Sequence, residues 1–170
     1  MRFISSDTNV WIDFSIIGKS KLPFLLPYTF IMSKESVEDE LLVPAGLGEE
    51  LVSYGLLPVE MTIEEFFLAE SYGIQYRRLS RYDRIALAIA KERNITLLTG
   101  DNHLRKAAVN EGVDIMGTIG IFDHLLDQNL ISTDEFKECL QSLLEHNGGA
   151  VRLPENEILS RLKKINKNEI

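Results

Sequence analysis

The sequence predicts an α/β protein: a three-layer α/β/α arrangement around a central, mostly parallel sheet, with added helices at its C-terminal end. Three observations predict it. Short apolar runs bounded by turn residues alternate with amphipathic helical stretches through residue 117, the pattern of parallel βαβ units. Beyond that point the periodicity is helical throughout. At 170 residues, 45% hydrophobic and 26% charged, the chain can bury one sizeable core. Residues 1–117 read as the core and 118–170 as a helical extension packed on it.

RFISS (2–6) reads as a short buried strand ending at Asp7. Val10, Trp11, Phe14 and Ile17 then recur at helical spacing, and Gly18 stops that helix. Pro23 and Pro27 punctuate a turn before TFIMS (29–33), a second strand. Ser33 is placed to cap a helix over 34–42, with Glu35, Glu38 and Asp39 near its positive end. Pro44, Gly46 and Gly48 read as a break. GLLPVE (55–60) fits an edge strand, because Pro58 removes a ladder donor. Thr62 and Glu65 form a capping-box pattern that opens a helix to about Gln75. Ser80 precedes an amphipathic helix over 81–93, and NITLLTG (94–100) is the clearest strand. A helix over 101–110 and a strand at 113–116 follow. GTIG (117–120) is too short for a phosphate-cradling loop and reads as a tight turn into a helix to about Gln128. Ser132 or Thr133 caps a helix over 133–146 that Gly148 and Gly149 end. Pro154 suits the first turn of a last helix to about Lys164, and KINKNEI reads as a frayed tail.

Composition narrows the function classes. No apolar run is long enough to span a membrane, and the N-terminus lacks a signal-peptide shape because Asp7 interrupts it early. The single cysteine, Cys139, has no partner for an internal disulfide, which suits a cytoplasmic protein. His103, His124 and His146 show no zinc-ligand spacing. Net charge is −8, but its distribution is uneven. Residues 35–76 hold ten acids and no Lys or Arg. Residues 77–106 hold eight bases against three acids, a local +5, which leaves the rest of the chain at −13. A basic stretch of this kind suits a phosphodiester, although charge runs more often mark solvated helix faces.

Four acids stand where this fold can bring them together: Asp7 after the first strand, Glu40 in SVEDELL, Asp83 in SRYDRIALAIA and Asp101 in LLTGDNHL. Each has an ordinary explanation. Asp7 and Asp101 suit helix N-caps, and Asp83 suits a helix's first turn. Glu38 and Glu40 both border the face marked by Val37 and Leu41, and helical geometry does not choose between them. Together, clustered carboxylates repel unless cations neutralise them, and Mg²⁺ prefers such oxygen donors. Ligands of open parallel sheets bind beyond the strands' carboxyl ends, where Asp7 and Asp101 lie.

The stretches IxSDTNVWIDF, SxxSVEDELL and RYDRIALAIAKERNITLLTGDNHLRKAA (81–108) resemble the PIN-domain family, metal-dependent ribonucleases found in many prokaryotic toxins. The third stretch is the most specific, and Gly117-Thr-Ile-Gly-Ile with the helices after it resembles a longer subfamily. The resemblance implies a Mg²⁺- or Mn²⁺-dependent endoribonuclease, with Asp7, Glu40, Asp83 and Asp101 as the catalytic, metal-holding set and Glu40 favoured over Glu38. It further implies an antitoxin partner and self-association. Asn9, Thr99 and Asn102 are expected to orient the acids, and Arg77, Arg78, Arg81 and Arg105 to track single-stranded RNA. Many members carry another acid two residues after the Thr-Gly-Asp aspartate, where this chain has His103. A module that binds RNA or protein without turnover is therefore the main alternative. A phosphatase using Asp7 as nucleophile fits less well, because Asn9 stands where a second acid belongs. The apolar residues of 62–75 and 133–146 suit either a homodimer surface or plain core.

Overall fold

The computed structural model describes residues 1–168. One sheet runs through it, built from β1 (Arg2–Ser6), β2 (Tyr28–Ser33), β3 (Leu57–Val59), β4 (Thr96–Leu98) and β5 (Ile115–Met116). The order is β3-β2-β1-β4-β5, and every neighbouring pair is parallel. Side chains alternate across it as the pleat requires. Ile4, Phe30, Met32 and Leu98 enter one buried cluster, and Ile31 and Leu97 enter the other.

The first cluster lies under α1 (Thr8–Ile16), α3 (Leu47–Tyr54), α7 (Thr118–Asp127), α8 (Thr133–His146) and α9 (Glu155–Asn168), which supply Trp11, Leu51, Phe122, Leu140 and Ile158. The second lies under α4 (Ile63–Gln75), α5 (Arg81–Glu92) and α6 (Asn102–Asn110), which supply Tyr72, Leu87 and Leu104. The fold is thus the expected three-layer α/β/α sandwich with C-terminal helices. A short helix α2 (Lys34–Glu40) follows β2. No helix among the described residues is long and apolar enough to cross a membrane.

The winding positions everything that follows. From β1 the chain steps outward to β2 and β3, then crosses back through α4 and α5 to β4 on the other side of β1. Strand order therefore reverses between β1 and β4, and a crevice at their carboxyl ends is the expected ligand site.

Three local readings change, and one left open divides between two helices. The 44–48 segment is not only a break, because α3 begins at Leu47 and buries Leu47 and Leu51. Gly48 sits inside that helix where α2 comes close: a Cβ there would stand 3.4 Å from the Val37 carbonyl oxygen. GTIG is not a tight turn, since α7 starts at Thr118 with Gly117 as its N-cap. The last helix runs past Lys164 to Asn168, so the part of KINKNEI among the described residues is helical. Residues 169–170 lie outside the described residues. Finally, Phe136, Leu140 and Leu143 of α8 are core, whereas Ile63 and Phe67 of α4 are exposed.

Candidate active site

The hydrogen bonds of the β1–β4 ladder continue one step past the strand ends, from the Asp7 N–H to the Leu98 carbonyl at 2.9 Å. That bond fixes Asp7 at the switch point, where it caps α1. Its carboxylate accepts from the Thr8 N–H at 2.8 Å and from the Thr99 hydroxyl at 2.9 Å. Thr99 is fully buried, and its Oγ1 accepts from the Asp101 N–H at 3.1 Å. One threonine therefore couples Asp7 to Asp101. Asp101 caps α6 through the Leu104 N–H at 2.8 Å.

Glu40 reaches the same place from the last turn of α2. It accepts from the Thr8 hydroxyl at 2.8 Å. Glu38 is exposed. Asp83 comes from α5, which runs back toward β4 and so opens at the carboxyl edge of the sheet. Ser80 and Asp83 form a reciprocal capping box, with bonds of 2.9 and 3.1 Å.

Electrostatics shows the convergence. Asp7 is only 4% exposed, and its pKa is pushed up to about 7. Burial is the main cause, and the charges of Asp83 and Glu40 add to it. Glu40 is raised by burial and then by Asp83 and Asp39, against the Thr8 bond. Asp83 is raised by burial and by Asp101, partly offset by the Ser80 bonds and by Arg84. Among the described residues none of the four forms an ion pair.

This donor set is oxygen-only, which selects hard divalent cations over zinc. A cation would also relieve the repulsion that raises these acids. No three His, Cys, Asp or Glu side chains among the described residues stand as a ready-made metal group. The fit to a cation therefore rests on the chemistry of these oxygen donors, which suits a hard divalent ion.

The other expected residues divide. Thr99 sits inside the cluster, whereas Asn9 and Asn102 are exposed at the starts of α1 and α6. His103 is exposed on α6. Arg77 and Arg78 are exposed between α4 and α5. Arg81 is engaged by Glu35 at 2.9 Å, and Arg105 lies near the Thr99 carbonyl at 3.5 Å.

A fifth acid escaped sequence reasoning. Asp13 is buried in α1, accepts from the Thr118 hydroxyl at 2.7 Å, and is pushed by burial to about 6. It ties α1 to the start of α7. Its signal was present, because position 13 falls on the apolar stripe of Val10 and Phe14.

A family model described as a PIN domain matches residues 3–167. Comparison with curated proteins and with solved structures gives no match.

Proposed function

The chain belongs to the PIN-domain family, a family of nucleases, and from that premise we propose that it is a Mg²⁺- or Mn²⁺-dependent endoribonuclease acting as the toxin of a toxin–antitoxin pair in the cytoplasm. One observation carries this reading: four carboxylates from four separate segments converge at the switch point, three of them, Asp7, Glu40 and Asp83, raised by burial and by neighbouring acids, and none of the four forms an ion pair among the described residues.

When bound, the cation supplies Lewis acidity toward the attacking water and the phosphoryl oxygens. The protein's part is to hold the acids still. Thr99 fixes Asp7 relative to Asp101, Thr8 orients Glu40, and the Ser80 box locks Asp83. Such preorganisation is what makes electrostatic catalysis effective. Arg77, Arg78 and Arg105 attract the RNA backbone, with Arg81 held between that role and its pairing to Glu35.

An antitoxin is supported by α4. Ile63 and Phe67 are 71% and 66% exposed, close to Glu60, Glu64 and Glu70 in sequence. An apolar face with acids beside it suits a basic amphipathic protein segment. A homodimer on the same face is the competing occupant.

The test is cleavage of structured and single-stranded RNAs with Mg²⁺, with Mn²⁺ and with EDTA. Asp101→Asn protein serves as the contamination control. Cleavage that needs metal and is lost in the variant is the expected result. A folded protein that cuts nothing and binds Mn²⁺ no better than Asp7→Asn protein is instead a binding module.

A further inference from the structure

A groove of about 910 Å³ opens beside the acid cluster, with Gly100 and Asn102, the neighbours of Asp101, on its lining. Its walls come from segments some forty residues apart in the chain. One wall is α6, carrying Arg105. The other is the loop after α8, carrying Arg152 and Leu153. The loop is built to hold that position. Val151 is fully buried, and the Asn147 side chain clamps the Leu153 backbone through bonds of 3.0 and 2.8 Å. Arg105 crosses Gly117 so closely that a Cβ there would lie 3.0 Å from its Nη1.

The charges of the groove are unequal in status. Arg161 is saturated, by Asp123 at 2.8 Å and by Glu157 at 2.6 Å, so Glu157 is neutralised as well. Arg105 and Arg152 have no carboxylate partner among the described residues. A chain of net charge −8 thus leaves two unpaired guanidinium groups facing one groove next to its carboxylate cluster. Guanidinium groups match phosphate geometry, and a positive groove leading from a catalytic centre is how single strands are tracked.

We infer that this groove carries the single-stranded RNA leading away from the acid cluster past Asp101, with Arg105 and Arg152 gripping its phosphates; the inference rests on the ribonuclease reading above. Arg152 is then a substrate-binding residue supplied by the C-terminal segment. That segment does more than cover the sheet: it builds one wall of the substrate path.

The test is fluorescence anisotropy with labelled single-stranded RNA and the cleavage-disabled Asp7→Asn protein in Mg²⁺, across a salt series. Adding Arg152→Glu is expected to weaken binding roughly ten-fold. Arg152→Ala is expected to weaken it several-fold and to flatten the log–log salt dependence by about 0.7 for the lost phosphate contact. Charge reversal at Lys21, near the far end of α1, should change neither. In the cleaving protein, Arg152→Ala should lower kcat/KM and leave kcat nearly intact, as for lost uniform binding. Arg152 is exposed, so these variants keep the wild-type unfolding transition. If wild-type protein binds and cuts RNA while the Arg152 variants match it in affinity and salt slope, the groove assignment alone is overturned. Wild-type protein that neither binds nor cuts RNA overturns the ribonuclease reading and the groove with it.

Discussion

Two capping boxes, on consecutive helices and alike in grammar, end in opposite places. In α4, Thr62 and Glu65 cap each other, and Glu65 is then claimed by Arg93, with contacts of 2.5 and 3.1 Å. In α5, Ser80 and Asp83 cap each other in the same way, yet Asp83 meets Asp7, Glu40 and Asp101 and forms no ion pair among the described residues. Glu65 is 1% exposed and neutralised; Asp83 is half-buried and left in repulsion. The box is a local device that orients an acid. What the acid then does depends on whether the fold supplies a counter-charge. A buried charge without one is costly, and a site that keeps several of them together is poised for a cation.

The largest effect expected from this contrast is on turnover. Asp83→Asn, like Asp7→Asn and Asp101→Asn, should lower RNA cleavage by on the order of 10²–10³-fold, the range for removing one preorganised electrostatic group. Far-ultraviolet circular dichroism should be unchanged. Glu65→Gln should do the reverse. It leaves Arg93 short of its charge partner and costs about 3 kcal/mol, the low end for breaking a buried pair because Arg93 is partly exposed. That corresponds to a Tm lower by roughly 6–12 °C, with cleavage per folded molecule unchanged. Equal loss of cleavage in Glu65→Gln and Asp83→Asn would erase the distinction between the two boxes.

Much of this contrast was legible in the sequence, and the illegible part has physical causes. Strands β1, β2 and β4 announce themselves as short apolar runs between turn residues, and α5 as an amphipathic stretch after Ser80. Helix α3 did not, because Pro44, Gly46 and Gly48 look like a break. Yet Gly48 lies inside the helix beside α2, and the burial of Leu47 and Leu51 that holds it there is a tertiary demand. Helical geometry left Glu38 and Glu40 equivalent; the Thr8 hydroxyl, from another element, distinguishes them. Asp13 was passed over because its partner, Thr118, lies 105 residues away. Nor does the sequence reveal which arginines are free, since Arg81 and Arg161 are claimed by Glu35, Asp123 and Glu157 only in the folded chain.

The next effect is on stability against pH. Asp7 is raised from 3.8 to about 7 in the folded chain, so its contribution is complete below the unfolded value and is lost as pH rises through about 7. Asp13 behaves likewise through about 6, raised by burial against the Thr118 hydrogen bond. The metal-free protein should therefore lose Tm between mildly acidic pH and about pH 8, and Asp7→Asn should flatten that fall. Mn²⁺ should raise Tm more at the alkaline end, where the acids are ionised and a ligand that binds only the native state stabilises it by mass action. Asp7→Asn should abolish that metal response, whereas Asp13→Asn and Glu65→Gln should preserve it. Differential scanning fluorimetry across a pH series, with and without Mn²⁺, reads all three. A metal response that survives Asp7→Asn would place the cation elsewhere.

The smallest effect separates the two caps themselves. Thr62→Ala and Ser80→Ala each remove one hydroxyl that accepts from the N3 backbone N–H, at 3.1 Å in both cases. Each should cost about 1 kcal/mol and roughly 2–4 °C of Tm. In Thr62→Ala the consequence ends there, because Arg93 still holds Glu65. In Ser80→Ala the first turn of α5 loosens under an acid that only the Ser80 backbone N–H then retains, at 2.9 Å. Cleavage should fall a further few-fold, since small misplacements of a catalytic group are expensive, and Ser80→Thr should restore it. If Ser80→Ala loses the same Tm as Thr62→Ala and keeps full kcat, the cap contributes stability alone, and the position of Asp83 is set by the packing of α5 against the sheet.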